Sequence, residues 1–118
     1  MRNVKKGNLI VEKAIMFAVN VIDFSEQIHA LKRFEMASQI FRSGTSIGSN
    51  VTEAQNAESK ADFIHKFKIA AKEADEVNYW FTLCKLSKHY PNPPIELENE
   101  LKSIQLIISK IISSSKKK

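Results

Sequence analysis

Between Ser59 and Ser87 the apolar residues Phe63, Phe67, Ala70, Ala74, Val77, Phe81 and Cys84 recur at alternating steps of four and three. That spacing lays one apolar seam along a single helix face, and neither Gly nor Pro interrupts it. Ser59 has the side chain of an N-cap, and Asp62 supplies a carboxylate in the manner of a capping box. A helix of this kind does not keep such a seam in water unaided, because tertiary packing rather than propensity holds most helices. The remaining segments must therefore cover it.

Three further segments have the pattern to do so. A helix is expected from about Asn8 to Leu31, with Val11, Ala14, Ala18, Val21, Ser25 and Ile28 as its seam. Ile10, Phe17, Phe24 and Leu31 flank the seam on one side and Ile15 and Ile22 on the other, an apolar face wider than one neighbour requires. Glu35 to Ala57 keeps helical period through Ala37, Ile40, Gly44, Ile47, Val51 and Ala54. Its stretch Ser43-Gly44-Thr45-Ser46-Ile47-Gly48-Ser49-Asn50 is poor in helix formers, each glycine costing about 1 kcal/mol against alanine. It reads either as a loop or as a helix whose small residues admit a close neighbour, and the unbroken period favours helix. Lys88 to Pro94 is a loop, since its prolines cannot sit inside a helix. A last helix starts near Pro94 or Ile95, has acidic opening turns that suit the dipole, and uses Leu97, Leu101, Ile104, Ile108 and Ile111 as its seam. It is expected to fray at Ser113. The prediction is an all-α, antiparallel up-and-down four-helix bundle forming a single domain over residues 1–118, with short basic tails at about 1–7 and 113–118.

Three Gly and three Pro are few enough to agree with helix over sheet. The net charge of +5 is located in the tails: Arg2, Lys5, Lys6, Lys116, Lys117 and Lys118 are six of eighteen basic residues, and the remaining twelve face thirteen acidic ones. Such tails add salt-sensitive, non-specific affinity for nucleic acid without reading sequence. The single cysteine excludes an internal disulfide, and no run of residues is long and apolar enough to span a membrane, so a cytoplasmic protein is expected.

Chemistry finds little support. Glu26-Gln27-Ile28-His29 and Asp62-Phe63-Ile64-His65 have the spacing of bundle di-iron motifs, but Ile28 and Phe63 occupy the seams and turn the candidate ligands outward. Gly44 to Ser49 lacks the Gly-Lys-Ser/Thr ending of a phosphate loop. No catalytic residue, metal site, cofactor or small-molecule substrate is indicated. What the seams leave over is apolar and basic. Phe17, Phe24, Ile69, Tyr79, Trp80, Leu83 and Leu86 lie off the seams and are candidates for a homo-oligomer interface. Lys60, Lys66, Lys68 and Lys72, with Arg42 on the preceding helix, form a local basic patch and are candidate nucleic-acid contacts.

Phe41-Arg42-Ser43-Gly44-Thr45-Ser46-Ile47-Gly48-Ser49-Asn50-Val51-Thr52-Glu53-Ala54, followed by Ser59-Lys60-Ala61-Asp62-Phe63, resembles the 23S rRNA intervening-sequence family of four-helix bundle proteins. Arg42, Ser46, Ile47, Asn50, Glu53, Ala54, Ser59, Lys60 and Phe63 match the family pattern, and Glu73, Trp80 and Leu83 agree with its later part. The resemblance implies a helical reading of residues 43–50, a ring-like homopentamer, and no established catalytic activity. It implies polar helix contacts for Arg42, Asn50, Glu53 and Glu73, with Ser46 a further polar position of the pattern. Two functions follow: a non-enzymatic self-assembling bundle with RNA as a candidate partner, or a protein-interaction adaptor with no nucleic-acid role.

Overall fold

The computed structural model describes residues 8–117, and these form four α-helices with no strand among them. They are α1 (Leu9–Ala30), α2 (Phe34–Ala54), α3 (Lys60–Leu86) and α4 (Ile95–Lys116). Each helix packs on its two neighbours in the cycle α1, α2, α3, α4, so α1 and α3 stand diagonally across one shared core.

The seam of α3 is buried from Phe67 to Cys84 as its spacing predicts, with Phe63 half-buried at the open end. Its start is fixed by the expected cap. Ser59 Oγ accepts the Asp62 N–H at 3.0 Å, and the Asp62 carboxylate accepts the Glu58 N–H at 3.2 Å. The reciprocal bond thus reaches one residue further back than in the usual capping box.

Helix α2 runs unbroken through residues 43–50. Its hydroxyls are turned to the helix's own carbonyls. Ser43, Thr45 and Ser46 each donate to the carbonyl four residues back at 2.7–2.8 Å, and Asn50 does the same at 2.9 Å. Bonded in this way, the side chains no longer compete with the backbone ladder, which is the usual reason such residues disfavour helix. The glycines serve packing. A Cβ placed on Gly44 would lie 2.5 Å from Val21 Cγ1, whereas one on Gly48 would meet the Ala14 carbonyl oxygen at 3.4 Å. Nearby, the buried Ser25 hydroxyl donates to the Ala37 carbonyl at 2.8 Å, tying α1 to α2 without an unsatisfied polar atom.

The turn between α1 and α2 is a Schellman motif. The Arg33 N–H bonds the Ile28 carbonyl at 3.3 Å and the Lys32 N–H bonds that of His29 at 2.8 Å. Lys32 holds the left-handed position with φ 64°, a place usually given to glycine.

Several expectations are corrected. Phe17 and Phe24 are core residues, 0% and 1% exposed, and Phe24 meets Phe81 edge-on with ring centroids 5.8 Å apart. They are not available as an oligomer interface. The apolar row that α1 leaves outside is the opposite flank: Val19 and Ile22 are each 38% exposed, with Ile15 and Ala18 half-buried beside them. Phe34, just before the expected start at Glu35, opens α2, and α2 ends at Ala54 short of the expected Ala57, with residues 55–57 in turn hydrogen bonds. Helix α4 does not fray at Ser113 but continues to Lys116. The N-terminal tail, about residues 1–7, lies outside the described residues.

Candidate interaction surfaces

A polar ladder joins α2 to α3. Arg42 reaches across from α2 to the carboxylates of Glu73, at 3.3 Å, and Glu76. The Trp80 indole N–H donates to Glu76 at 3.3 Å, so the carboxylate is shared between an arginine and an aromatic of the same region. Lower on the same pair of helices, Lys66 donates to Glu53 at 3.0 Å, and Ser49 steadies the other Glu53 oxygen at 3.4 Å. The Glu53 hydrogen bond and charge hold the Lys66 ammonium above its ordinary value of 10.5. Exposed pairs of this kind are screened by solvent and contribute little, so the ladder sets the register of two helices more than it stabilises them.

This geometry sorts the residues that sequence nominated. Of the pattern positions, Arg42, Glu53 and Glu73 make contacts between helices, whereas Ser46 and Asn50 bond within α2. Of the nominated nucleic-acid contacts, Arg42 and Lys66 are held by carboxylates of their own chain. Lys60, Lys68 and Lys72 are exposed, and Lys68 and Lys72 make no ion pair among the described residues. The patch that looked like a cluster of five therefore presents its cations unequally.

The nominated apolar residues separate too. Tyr79 is 56% exposed and Leu86 81%, on one stripe of α3 seven residues apart, with Trp80 and Leu83 half-buried beside them. The Tyr79 and Trp80 rings lie 5.1 Å apart at 57°, which stiffens the ridge. Ile69 is half-buried on the same helix. A second apolar surface was not nominated. Ile15, Ala18, Val19 and Ile22 of α1 form one wall, and Thr45 and Ser49 of α2 the other, of an open groove of about 460 Å³. The signal for it was present as the Ile15 and Ile22 flank of α1 facing the small residues of α2.

Nothing in the described residues assembles reactive chemistry. Cys84 is buried on the α3 seam, and burial pushes its thiol up to about 11. Asp62 is engaged in the α3 cap, and Glu26 and His65 are exposed. The His29 ring packs on Phe34 at 4.8 Å. No group of three His, Cys, Asp or Glu side chains is placed to hold a metal ion among the described residues. No helix among them is long and apolar enough to cross a membrane.

A family model described as 23S rRNA-intervening sequence protein matches residues 6–110. Among solved structures, a protein of unknown function from the S23 ribosomal protein family of Bacteroides thetaiotaomicron VPI-5482 is 37% identical. The match covers 87% of this chain and 97% of that one, with a TM-score of 0.82. No curated protein matches the chain.

Proposed function

The chain belongs to the 23S rRNA-intervening sequence protein family, and from that premise we propose that it is a non-enzymatic, cytoplasmic helical bundle whose work is to assemble. Its helices run up and down in antiparallel order, and its copies form a ring-like homo-oligomer, of five subunits as the family resemblance implies. The direction of the helices is supported by the order of their cross-contacts. Along α1 and α2, Asn8 meets Gln55, Ala14 lies by Gly48, Val21 by Gly44 and Ser25 by Ala37. Rising number on one helix meets falling number on the other. Glu53 with Lys66 and Arg42 with Glu73 repeat this on α2 and α3, and Asp75 with Gln105 and Lys85 with Glu98 on α3 and α4.

Self-assembly rests on one observation: two apolar surfaces, the α1–α2 groove and the Tyr79–Leu86 ridge, remain outside a core that is already closed. Contiguous exposed apolar surface on a small domain marks an interaction site. The test is the mass of the full-length chain in solution by light scattering, which is expected to be a multiple of the 13.4 kDa protomer. A strict monomer at working concentrations overturns the proposal.

RNA is the proposed partner through cations that no carboxylate of the chain already holds. Lys68 and Lys72 are the body's candidates, because Arg42 and Lys66 already serve carboxylates. This same pairing favours the second reading, an adaptor for another protein with no nucleic acid bound. A salt titration with structured RNA separates the two, since binding through Z phosphates weakens with a log–log slope of about −0.7Z to −0.9Z. Loss of the whole affinity on removal of the basic tails, with Lys68 and Lys72 intact, leaves the adaptor reading.

A further inference from the structure

We infer that the Tyr79–Leu86 ridge of one copy docks in the α1–α2 groove of the next, a head-to-tail contact between two unlike surfaces. The inference rests on the proposed self-assembly and specifies how it is done. The two surfaces lie on diagonal helices, α1 and α3, so a single chain cannot bring them together. Their shapes are opposite. The groove is a shallow, open depression lined by Ile15, Val19 and Ile22, whereas Tyr79 and Leu86 stand out from α3 at 56% and 81% exposure. Their lengths agree: Ile15 to Ile22 and Tyr79 to Leu86 are each eight residues, seven helical steps or about 10 Å.

Their charges are opposite as well. On α1 the row that walls the groove continues one turn beyond Ile22 into the exposed Glu26, while the exposed Asp23 lies toward α4. On α3 the ridge stripe is preceded by the exposed Asp75, which accepts from Gln105, and beyond it by the exposed Lys72 and Lys68, which have no ion pair among the described residues and leave this approach net positive. An acidic rim beside an apolar groove and a basic approach to an apolar ridge complement each other, and such complementarity fixes partner and register. A contact of unlike surfaces is heterologous. It leaves one groove and one ridge free at the ends of any open chain, and closes as a ring when the turn per subunit divides a circle.

The test uses Ile22→Glu to block the groove and Tyr79→Glu to block the ridge, each in the full chain. Both positions are exposed, so helical circular dichroism equal to that of the unmodified chain is expected; Val19→Glu and Leu86→Glu repeat the design on the same two surfaces. Each variant alone is expected at the mass of one protomer. An equimolar mixture is expected at twice that mass, because each variant retains the surface the other needs. A mixture that stays at one protomer mass, or variants that keep the full assembly, overturns the docking while leaving self-assembly in place. A monomeric unmodified chain overturns self-assembly itself.

Discussion

Helix α1 carries two apolar rows that differ little in sequence and entirely in fate. The inner row, Phe17 and Phe24 with Val21 and Ile28, is sealed in the core, while the outer row, Ile15, Val19 and Ile22, walls an open groove. Both rows repeat at helical spacing, and both are large and apolar. Which one faces inward is decided by the neighbours. Gly44 and Gly48 let α2 approach α1 closely on the Ala14–Val21 side, and that approach turns Phe17 and Phe24 toward the space where Phe81 arrives from α3. Periodicity states how many faces a helix has, whereas packing states which of them is inside.

The largest expected difference between the rows is in stability. Phe24→Ala removes a fully buried ring and its edge contact with Phe81, and should cost about 3–5 kcal/mol in denaturant unfolding. Ile22→Ala, at a half-open site, should cost less than about 1 kcal/mol in the dissociated protomer, following the pattern of surface substitutions. Equal losses at the two positions would erase the distinction between inner and outer row.

Next come the glycines that orient the helix. Gly44→Ala gains about 1 kcal/mol of helix propensity but forces its methyl into the stiff, buried Val21, and overpacking of that kind costs about 1–3 kcal/mol. Net destabilisation is expected. Gly48→Ala meets only an ordinary contact with the Ala14 carbonyl, so the propensity gain should survive and the unfolding midpoint should rise or hold. A stabilising Gly44→Ala would show that α1 and α2 are not held at this distance.

At the end of α1, Lys32→Gly should raise stability by about 1 kcal/mol, because it relieves a side chain from the left-handed region in an otherwise complete Schellman cap. The smallest effect belongs to the α2–α3 ladder. Lys66 is raised in the folded state, so its pairing with Glu53 contributes below the unfolded lysine value of 10.5 and is lost as pH rises through the folded one. Glu53→Gln should remove most of that alkaline dependence, with the weaker pull of Asp62 left and little change at neutral pH. Unfolding curves followed between neutral and strongly alkaline pH would show the difference.

Much of this was legible in the residues. The α3 seam, its Ser59 cap and the helical reading of residues 43–50 follow from period and capping chemistry, because local hydrogen bonds and one apolar face suffice to determine them. The assignment of Phe17 and Phe24 to an interface failed because an i, i+7 row has no sign attached to it: inside and outside look alike until a second helix is placed. The pairing within the basic patch was hidden for a related reason. Arg42 and Lys66 appear as cations in the sequence, yet Glu73, Glu76 and Glu53 reach them only across the α2–α3 contact. Sequence proximity among the lysines was visible; the carboxylates that hold two of the five cations were distant in the chain.

The most direct measurement is the light-scattering mass of Ile22→Glu beside that of the unmodified chain at equal concentration, each paired with its helical circular dichroism. The outer row of α1 is predicted to serve assembly and not the core, so the variant should keep its helices and fall to the mass of one 13.4 kDa protomer while the unmodified chain stays at a multiple of it. Equal masses for both proteins, or collapse of the helical signal in the variant, would contradict it.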